Sequence, residues 1–228
     1  MKVLISTVPF ARKDKAPLKI LNDAGIDYVI NPLGRKFNWN ELYNEIPGYD
    51  VLIAGTEVID KRIIDRAENL KLIARVGIGL DNVDLLAARD SGVQVCYTPD
   101  APSPAVAELT IAMMLTMLRQ VHISNHQMHQ GVWHRYFGRR LSECKVGIIG
   151  LGRIGQRVIK LLSGFEIETI LVNDIDSTVD LEASDQIIFK DKEAIYREAD
   201  IISFHVPLTK ETGFMIGKTQ FAMMKDDA

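Results

Sequence analysis

Residues 145–158 read KVGIIGLGRIGQRV, an apolar run that meets glycines at positions 150, 152 and 155. No other stretch restricts the fold of this chain so tightly. Val146–Ile149 has the character of a short buried strand. Ile154, Val158, Leu161 and Leu162 then follow at the spacing of one helix face. The glycines therefore sit in a strand-to-helix turn. Gly150 allows the turn to be tight, Gly152 leaves room for a pyrophosphate to approach the backbone, and Gly155 lets the helix lie close on the strand. The first N–H groups of such a helix lack intrahelical partners and its dipole favours negative charge, so phosphate oxygens suit them. A glycine turn of this spacing also occurs without a ligand. Two further features favour one.

The first is Asp174, which ends the apolar run ETILVND 19 residues after Gly155. An acid at the tip of the second strand is placed to accept hydrogen bonds from an adenosine ribose. Asp176 and Asp180 lie nearby, but the spacing favours Asp174. An acid there also repels a 2′-phosphate: at ~4 Å and an effective dielectric near 20, each unit charge costs about 4 kcal/mol. Half of that still exceeds a roughly tenfold preference for NAD over NADP. The second feature is order. Strand, glycine turn, helix, strand and acid fit within about 30 residues, as a βαβ unit requires. The expected cofactor is NAD.

Short apolar runs alternate with helical patterns from the first residue. Strands are expected at 2–6, 27–30, 50–54, 70–76 and 93–96, with helices near 15–24, 38–46, 60–67 and 81–90. This alternation means a parallel, doubly wound α/β sheet. The stretch TPDAPSPAVAE (98–108) carries three prolines and marks a boundary. Two domains are expected, 1–100 and 101–228. A long helix should follow from about Ala105 to Arg119, extending toward Gly131. The second domain then holds the glycine turn, the Asp174 strand, a strand near 186–189 and a last strand in ADIISFHVPLTKETG (199–213). Ligands of open α/β sheets lie at the carboxyl ends of strands, which puts His205, Val206, Pro207 and Thr212 near the cofactor.

Composition narrows the class. A chain of 228 residues, 47% hydrophobic and 25% charged, can bury a substantial core. A net charge of −3 argues against nucleic-acid or membrane-surface partners. No apolar run is long enough to span a bilayer as a helix, and no leader pattern opens the chain. Cys96 and Cys144 are expected to be buried and reduced, which fits a cytoplasmic enzyme.

Five stretches, ARVGIGLDNVD (74–84), TPDAPSPAVAELTIAMML (98–115), GVWHRYFGRRL (131–141), VGIIGLGRIGQ (146–156) and ADIISFHVPLTKETGFMIG (199–217), carry a resemblance. The sequence resembles the D-isomer-specific 2-hydroxyacid dehydrogenases, the phosphoglycerate-oxidising branch above all. The resemblance implies a flavodoxin-like substrate domain followed by a Rossmann NAD-binding domain. It implies hydride transfer between NAD(H) and a small 2-hydroxy or 2-oxo acid, 3-phosphoglycerate among the candidates, in a homodimer built around residues 105–140. It also implies residue roles. The turn Val76-Gly77-Ile78-Gly79 would offer N–H groups to the substrate carboxylate, a plausible anion nest, and Arg75 matches a substrate arginine. Gly150, Gly152, Arg153, Ile154, Gly155 and Asp174 would hold the adenosine and pyrophosphate. His205, Val206, Pro207 and Thr212 would line the nicotinamide side.

Three departures accompany the resemblance. The phosphoglycerate enzymes usually carry an arginine where this chain reads LIAGTEV, and a phosphate wants that cation. Ile78 stands where many relatives have a small or hydroxylated residue. The family's catalytic arginine, glutamate and histidine all match positions beyond residue 228. The chain is therefore expected to lack the family's last third, to contain no catalytic residue and to be inactive alone. An inactive NAD-binding module, or a relative acting on another anionic acid such as a phosphonate, are the alternatives. His122, His126 and His129 share a helix face but have no acid or cysteine beside them, so no metal is expected. Cys144 has no base at a recognisable spacing, and Trp133 and Tyr136 suit an interface.

Overall fold

The computed structural model describes residues 1–228 apart from 177, 180, 182 and 183. The chain divides into two compact units, Met1–Pro102 and Ser103–Ala228.

The first unit is a five-stranded parallel sheet. Its strands are β1 (Lys2–Ile5), β2 (Asp27–Ile30), β3 (Val51–Ala54), β4 (Leu72–Arg75) and β5 (Gln94–Tyr97), in the order β2-β1-β3-β4-β5. This is the flavodoxin-like order. Side chains alternate between the faces as a period of two requires. Leu4, Leu52 and Ile73 enter one core, whereas Val3, Ile5 and Val51 enter the other. Four helices link the strands: α1 (Ala16–Asp23), α2 (Trp39–Glu45), α3 (Lys61–Arg66) and α4 (Leu85–Asp90). Three of them start where a side chain caps the first turn. Asn38 and Glu41 cap each other's backbone, and the Asp60 and Asp84 carboxylates accept from the Ile63 and Ala87 N–H groups.

Two expectations fail in this unit. The helix anticipated from residue 81 begins only at Leu85, because Asp84 is its cap and Val83 is drawn into a bridge with Ile59. Cys96 is exposed rather than buried, because β5 is the edge of the sheet.

The second unit is a four-stranded parallel sheet of β6 (Val146–Ile149), β7 (Ile170–Asn173), β8 (Ile187–Phe189) and β9 (Ile201–Phe204), ordered β8-β7-β6-β9. The order radiates outward from β6, as in a Rossmann half. Its helices are α5 (Ser103–Leu118), α6 (Val121–His129), α7 (Arg153–Leu162), α8 (Lys192–Glu198) and the short α9 (Lys218–Phe221). Ala107, Ile111 and Met114 of α5 pack with Val146, Ile148, Val158 and Leu162 on one face. Ile149, Leu171, Ile195 and Tyr196 form the core of the other. The long helix expected to extend toward Gly131 is broken. Gln120 takes a left-handed φ of 51°, and α5 and α6 meet at a bend of 68°. Among the described residues no single helix is long and apolar enough to cross a membrane; only the bent pair passes by length and composition.

Candidate cofactor and substrate sites

In the second unit, strand register alone assembles a site. Ile149 pairs with Asn173 on one side and Phe204 on the other. The next residue of each strand is Gly150, Asp174 and His205, so these three emerge side by side at the carboxyl edge. Backbone hydrogen bonds fix them: Gly150 N–H donates to Asn173 O at 2.8 Å, and His205 N–H to Ile149 O at 2.8 Å.

The three glycines do different work. Gly150 has a φ of 99°, and a Cβ there would lie 2.6 Å from His205 O. A Cβ on Gly155 would lie 2.0 Å from Gly150 O, so only glycine lets α7 approach the turn. A Cβ on Gly152 would meet nothing within 4 Å. Gly152 is the N-cap of α7 and no side chain caps that end. Among the described residues the first N–H groups of α7 have no acceptor, which suits a pyrophosphate. Arg153 is exposed beside it and has no ion pair among the described residues; Ile154 is half-buried. Gln156 pins the turn by donating to Leu151 O at 2.8 Å.

Asp174 is already engaged. One carboxylate oxygen accepts from Leu151 N–H, within the glycine turn, and the other from Asp176 N–H at 3.0 Å. Each oxygen has a second lone pair, so ribose hydroxyls still have acceptors there. Asp176 is turned to Thr178, whose hydroxyl donates to it at 2.6 Å. Asp180 lies outside the described residues.

His205 is half-buried, and burial pushes its imidazole below the ordinary value. Its Nε2 lies 3.0 Å from Ser203 Oγ. A neutral ring held this way is a hydrogen-bonding wall rather than a charge. Val206 packs into the core behind it. Pro207 and Thr212 are tied together, because the Thr212 hydroxyl donates to Pro207 O at 2.5 Å.

The first unit has its own carboxyl edge. Ala54 pairs with Arg75, and Val76 N–H donates to Ala54 O at 2.9 Å. Arg75 is buried. Its Nε donates to Asn82 Oδ1 at 3.2 Å and its Nη1 to Val76 O. Gly77, with a φ of 151°, has no room for a Cβ, which would fall 2.2 Å from Arg75 Nη1. The expected nest is narrower than the resemblance implies. The Val76 N–H is donated to β3, and the Gly77 N–H to Thr98 Oγ1 at 2.9 Å. Among the described residues the N–H groups of Ile78 and Gly79 have no acceptor, so these two, with Arg75, are left for an anion. A Gly79 Cβ would meet Asp81 Oδ1 at 2.6 Å, which keeps that position a glycine.

Five residues of this edge escape a reading of the sequence: Ser6, Thr7, Glu57, Asn82 and Thr98. Each is a common polar residue in a loop. Glu57 is one more polar residue after an apolar strand, and its burial shows only in the fold.

The remaining candidates do not converge. Among the described residues no three His, Cys, Asp or Glu side chains are grouped to hold a metal ion. His129 Nδ1 lies 2.8 Å from Asn125 O, and His126 Nε2 lies 3.0 Å from Gln130 Nε2. Cys144 is buried, and burial pushes its thiol up, away from a nucleophilic thiolate. Trp133 is exposed, and Tyr136 lies edge-on to His134 at 4.5 Å.

Residues 111–228 match the family model described as D-isomer specific 2-hydroxyacid dehydrogenase, NAD binding domain. D-3-phosphoglycerate dehydrogenase of Methanocaldococcus jannaschii is 36% identical over 220 residues, covering 92% of this chain and 40% of that protein. Hydroxypyruvate reductase of Thermotoga maritima is 36% identical over 190 residues, covering 82% of this chain and 61% of that protein. The chain thus spans less than two thirds of the length of both relatives. The crystal structure of NAD+-bound 3-phosphoglycerate dehydrogenase from Entamoeba histolytica superposes with a TM-score of 0.80 at 30% identity, covering 99% of this chain and 68% of that one. The fold is the family's α/β architecture, the cofactor of its nucleotide-binding domain is NAD, and the chain belongs to the D-isomer-specific 2-hydroxyacid dehydrogenase family.

Proposed function

We propose that this chain supplies the substrate- and cofactor-binding surfaces of an NAD-dependent oxidoreductase that moves hydride between NAD(H) and a small 2-hydroxy or 2-oxo acid. The observation that carries the reading is the register that aligns Gly150, Asp174 and His205 beside the uncapped N-terminus of α7. NAD, when bound, supplies the hydride acceptor. The residues do the placing. The α7 N-terminus and Arg153 neutralise the pyrophosphate, Asp174 accepts from the ribose, and His205, Val206, Pro207 and Thr212 wall the nicotinamide end. Residues 1–100 form the substrate domain, in which Arg75 and the Ile78 and Gly79 N–H groups take the carboxylate. No acid/base group is assigned in this chain. The relatives' names span phosphoglycerate and hydroxypyruvate chemistry, so the acid is defined only as small and anionic.

A calorimetric titration tests the cofactor assignment. NADH binds more tightly than NADPH by tenfold or more, and Asp174→Ala narrows that gap by removing the repulsion. Equal or tighter binding of NADPH by the unaltered protein contradicts the assignment.

The partner is a second copy of the chain, and the two free cysteines suit the reducing cytoplasm. Leu109, Met113 and Met117 form an exposed stripe along α5, and Trp133 and Phe137 stand 82% and 94% exposed beyond α6. Patches of this kind are seldom left bare. Sedimentation at tens of micromolar gives a dimer mass, and Met113→Asp shifts it toward monomer. A monomer mass for the unaltered, folded protein removes the proposal.

A further inference from the structure

The carboxyl edge of the first sheet holds a buried carboxylate that makes no ion pair among the described residues. We propose that Glu57 makes this edge select small acids that carry a hydrogen-bond donor, hydroxyl or ammonium, on the carbon distal to their carboxylate, and reject those that carry a phosphate there. The proposal rests on reading the first unit as the substrate site.

Glu57 follows β3 and is only 3% exposed, while its neighbour Val58 is 54% exposed. The side chain is thus turned into the edge of the sheet. Its Oε1 is used within the protein, accepting from the Ser6 hydroxyl and from Gly55 N–H at 2.9 Å. Its Oε2 accepts nothing among the described residues, and no ion pair reaches the carboxylate. Lys36, from the loop between β2 and α2, reaches this loop but donates to Thr56 O at 2.7 Å. The Thr7 hydroxyl borders the same space as Oε2: the two lie 2.8 and 3.0 Å from the point where a Gly55 Cβ would be. Thr7 Oγ1 also makes no hydrogen bond among the described residues. Neither atom is among the sealed, partnerless polar atoms, which are Trp39 Nε1, Ser103 Oγ and Gln127 Oε1. Two polar atoms therefore open from the edge with nothing among the described residues to satisfy them.

A buried carboxylate is expensive unless it is paired or hydrogen-bonded, and an ionised one only accepts. What completes it must donate. A phosphate is mostly dianionic at neutral pH, so it donates poorly and adds like charge, whereas a hydroxyl or ammonium satisfies Oε2 directly. The cation of the edge is held at a fixed spacing from this acid. Asn82 donates to Glu57 O at 2.6 Å and to Gly55 O at 3.2 Å while accepting from Arg75 Nε at 3.2 Å. The edge is therefore bipolar, with Arg75 and the free N–H groups at one end and Glu57 with Thr7 at the other.

Four D-acids that differ only at C3 test this on the NAD-saturated chain, with affinities read by NMR titration: lactate, glycerate, isoserine and 3-phosphoglycerate. Glycerate or isoserine, and whichever donor the site prefers, should bind tightest. 3-Phosphoglycerate should bind about tenfold or more weakly than glycerate, a difference of 1.4 kcal/mol or more. Glu57→Gln should compress the spread between isoserine and 3-phosphoglycerate while leaving NAD affinity unchanged, which a purely structural glutamate would not do. Tightest binding of 3-phosphoglycerate by the unaltered chain overturns the proposal, with or without a folded variant. So does an unchanged ranking in a folded Glu57→Gln. Saturable NAD binding with no binding of any acid removes the substrate site from this unit and the proposal with it, leaving the cofactor assignment intact.

Discussion

The two sheets end in sites made of different material. At the edge of β6, β7 and β9, the surface proposed to face the cofactor is built on backbone, a bare helix end and an open position at Gly152, with Arg153, Asp174 and His205 beside it. At the edge of β1, β3 and β4 it is mostly side chains: Thr7, Glu57 and Arg75, braced by Ser6 and Asn82. Backbone donors recognise a group that every NAD molecule carries. In the proposed reading, side chains recognise what distinguishes one acid from another. The difference teaches where this chain is constrained and where it is free to specialise.

The glycines sharpen the contrast. Gly155→Ala should have the largest effect, because its Cβ would press on a backbone oxygen that cannot swing away. Overpacking of this kind costs about 1–3 kcal/mol or more. Urea unfolding of the second unit should show that loss, with NADH binding abolished. Gly152→Ala should separate binding from folding. Its φ of −69° suits alanine and its Cβ meets nothing, so stability should stay within about 0.5 kcal/mol. NADH affinity should nonetheless fall by roughly tenfold, or 1.4 kcal/mol, since the methyl group occupies the path of the pyrophosphate. If both variants unfold alike, the open space at Gly152 is not a ligand site. Gly77→Ala should have the smallest effect on cofactor. Its Cβ would collide with Arg75 Nη1, the end of a flexible side chain, so the guanidinium should move and acid binding weaken while NADH affinity stays put. A loss of NADH binding in that variant would break the division between the two edges.

The same contrast explains what the sequence revealed. The glycine turn and Asp174 are readable because backbone recognition demands one residue type at fixed spacing. The sheet orders follow from alternating apolar runs, whose Leu4, Leu52 and Ile73 share one core. Beyond Arg75 and the 76–79 turn, the first unit's edge is not readable in that way, because Ser6 and Thr7 come from one loop and Glu57 from another, joined only by strand register. The break at Gln120 is invisible for another reason. Glutamine is a good helix former, and its left-handed φ of 51° runs against that local preference. The nest at 76–79 shows a third limit: two of its N–H groups are spent on Ala54 and Thr98, partners that only the fold brings near.

The most direct test of where the cofactor sits is amide NMR on the folded chain as NADH is added. The account predicts that the largest shifts fall on Leu151, Gly152, Arg153 and Ile154, with Asp174 and His205 following, and that Gly152→Ala weakens all of them together. Saturable shifts that leave residues 150–155 unmoved would contradict it.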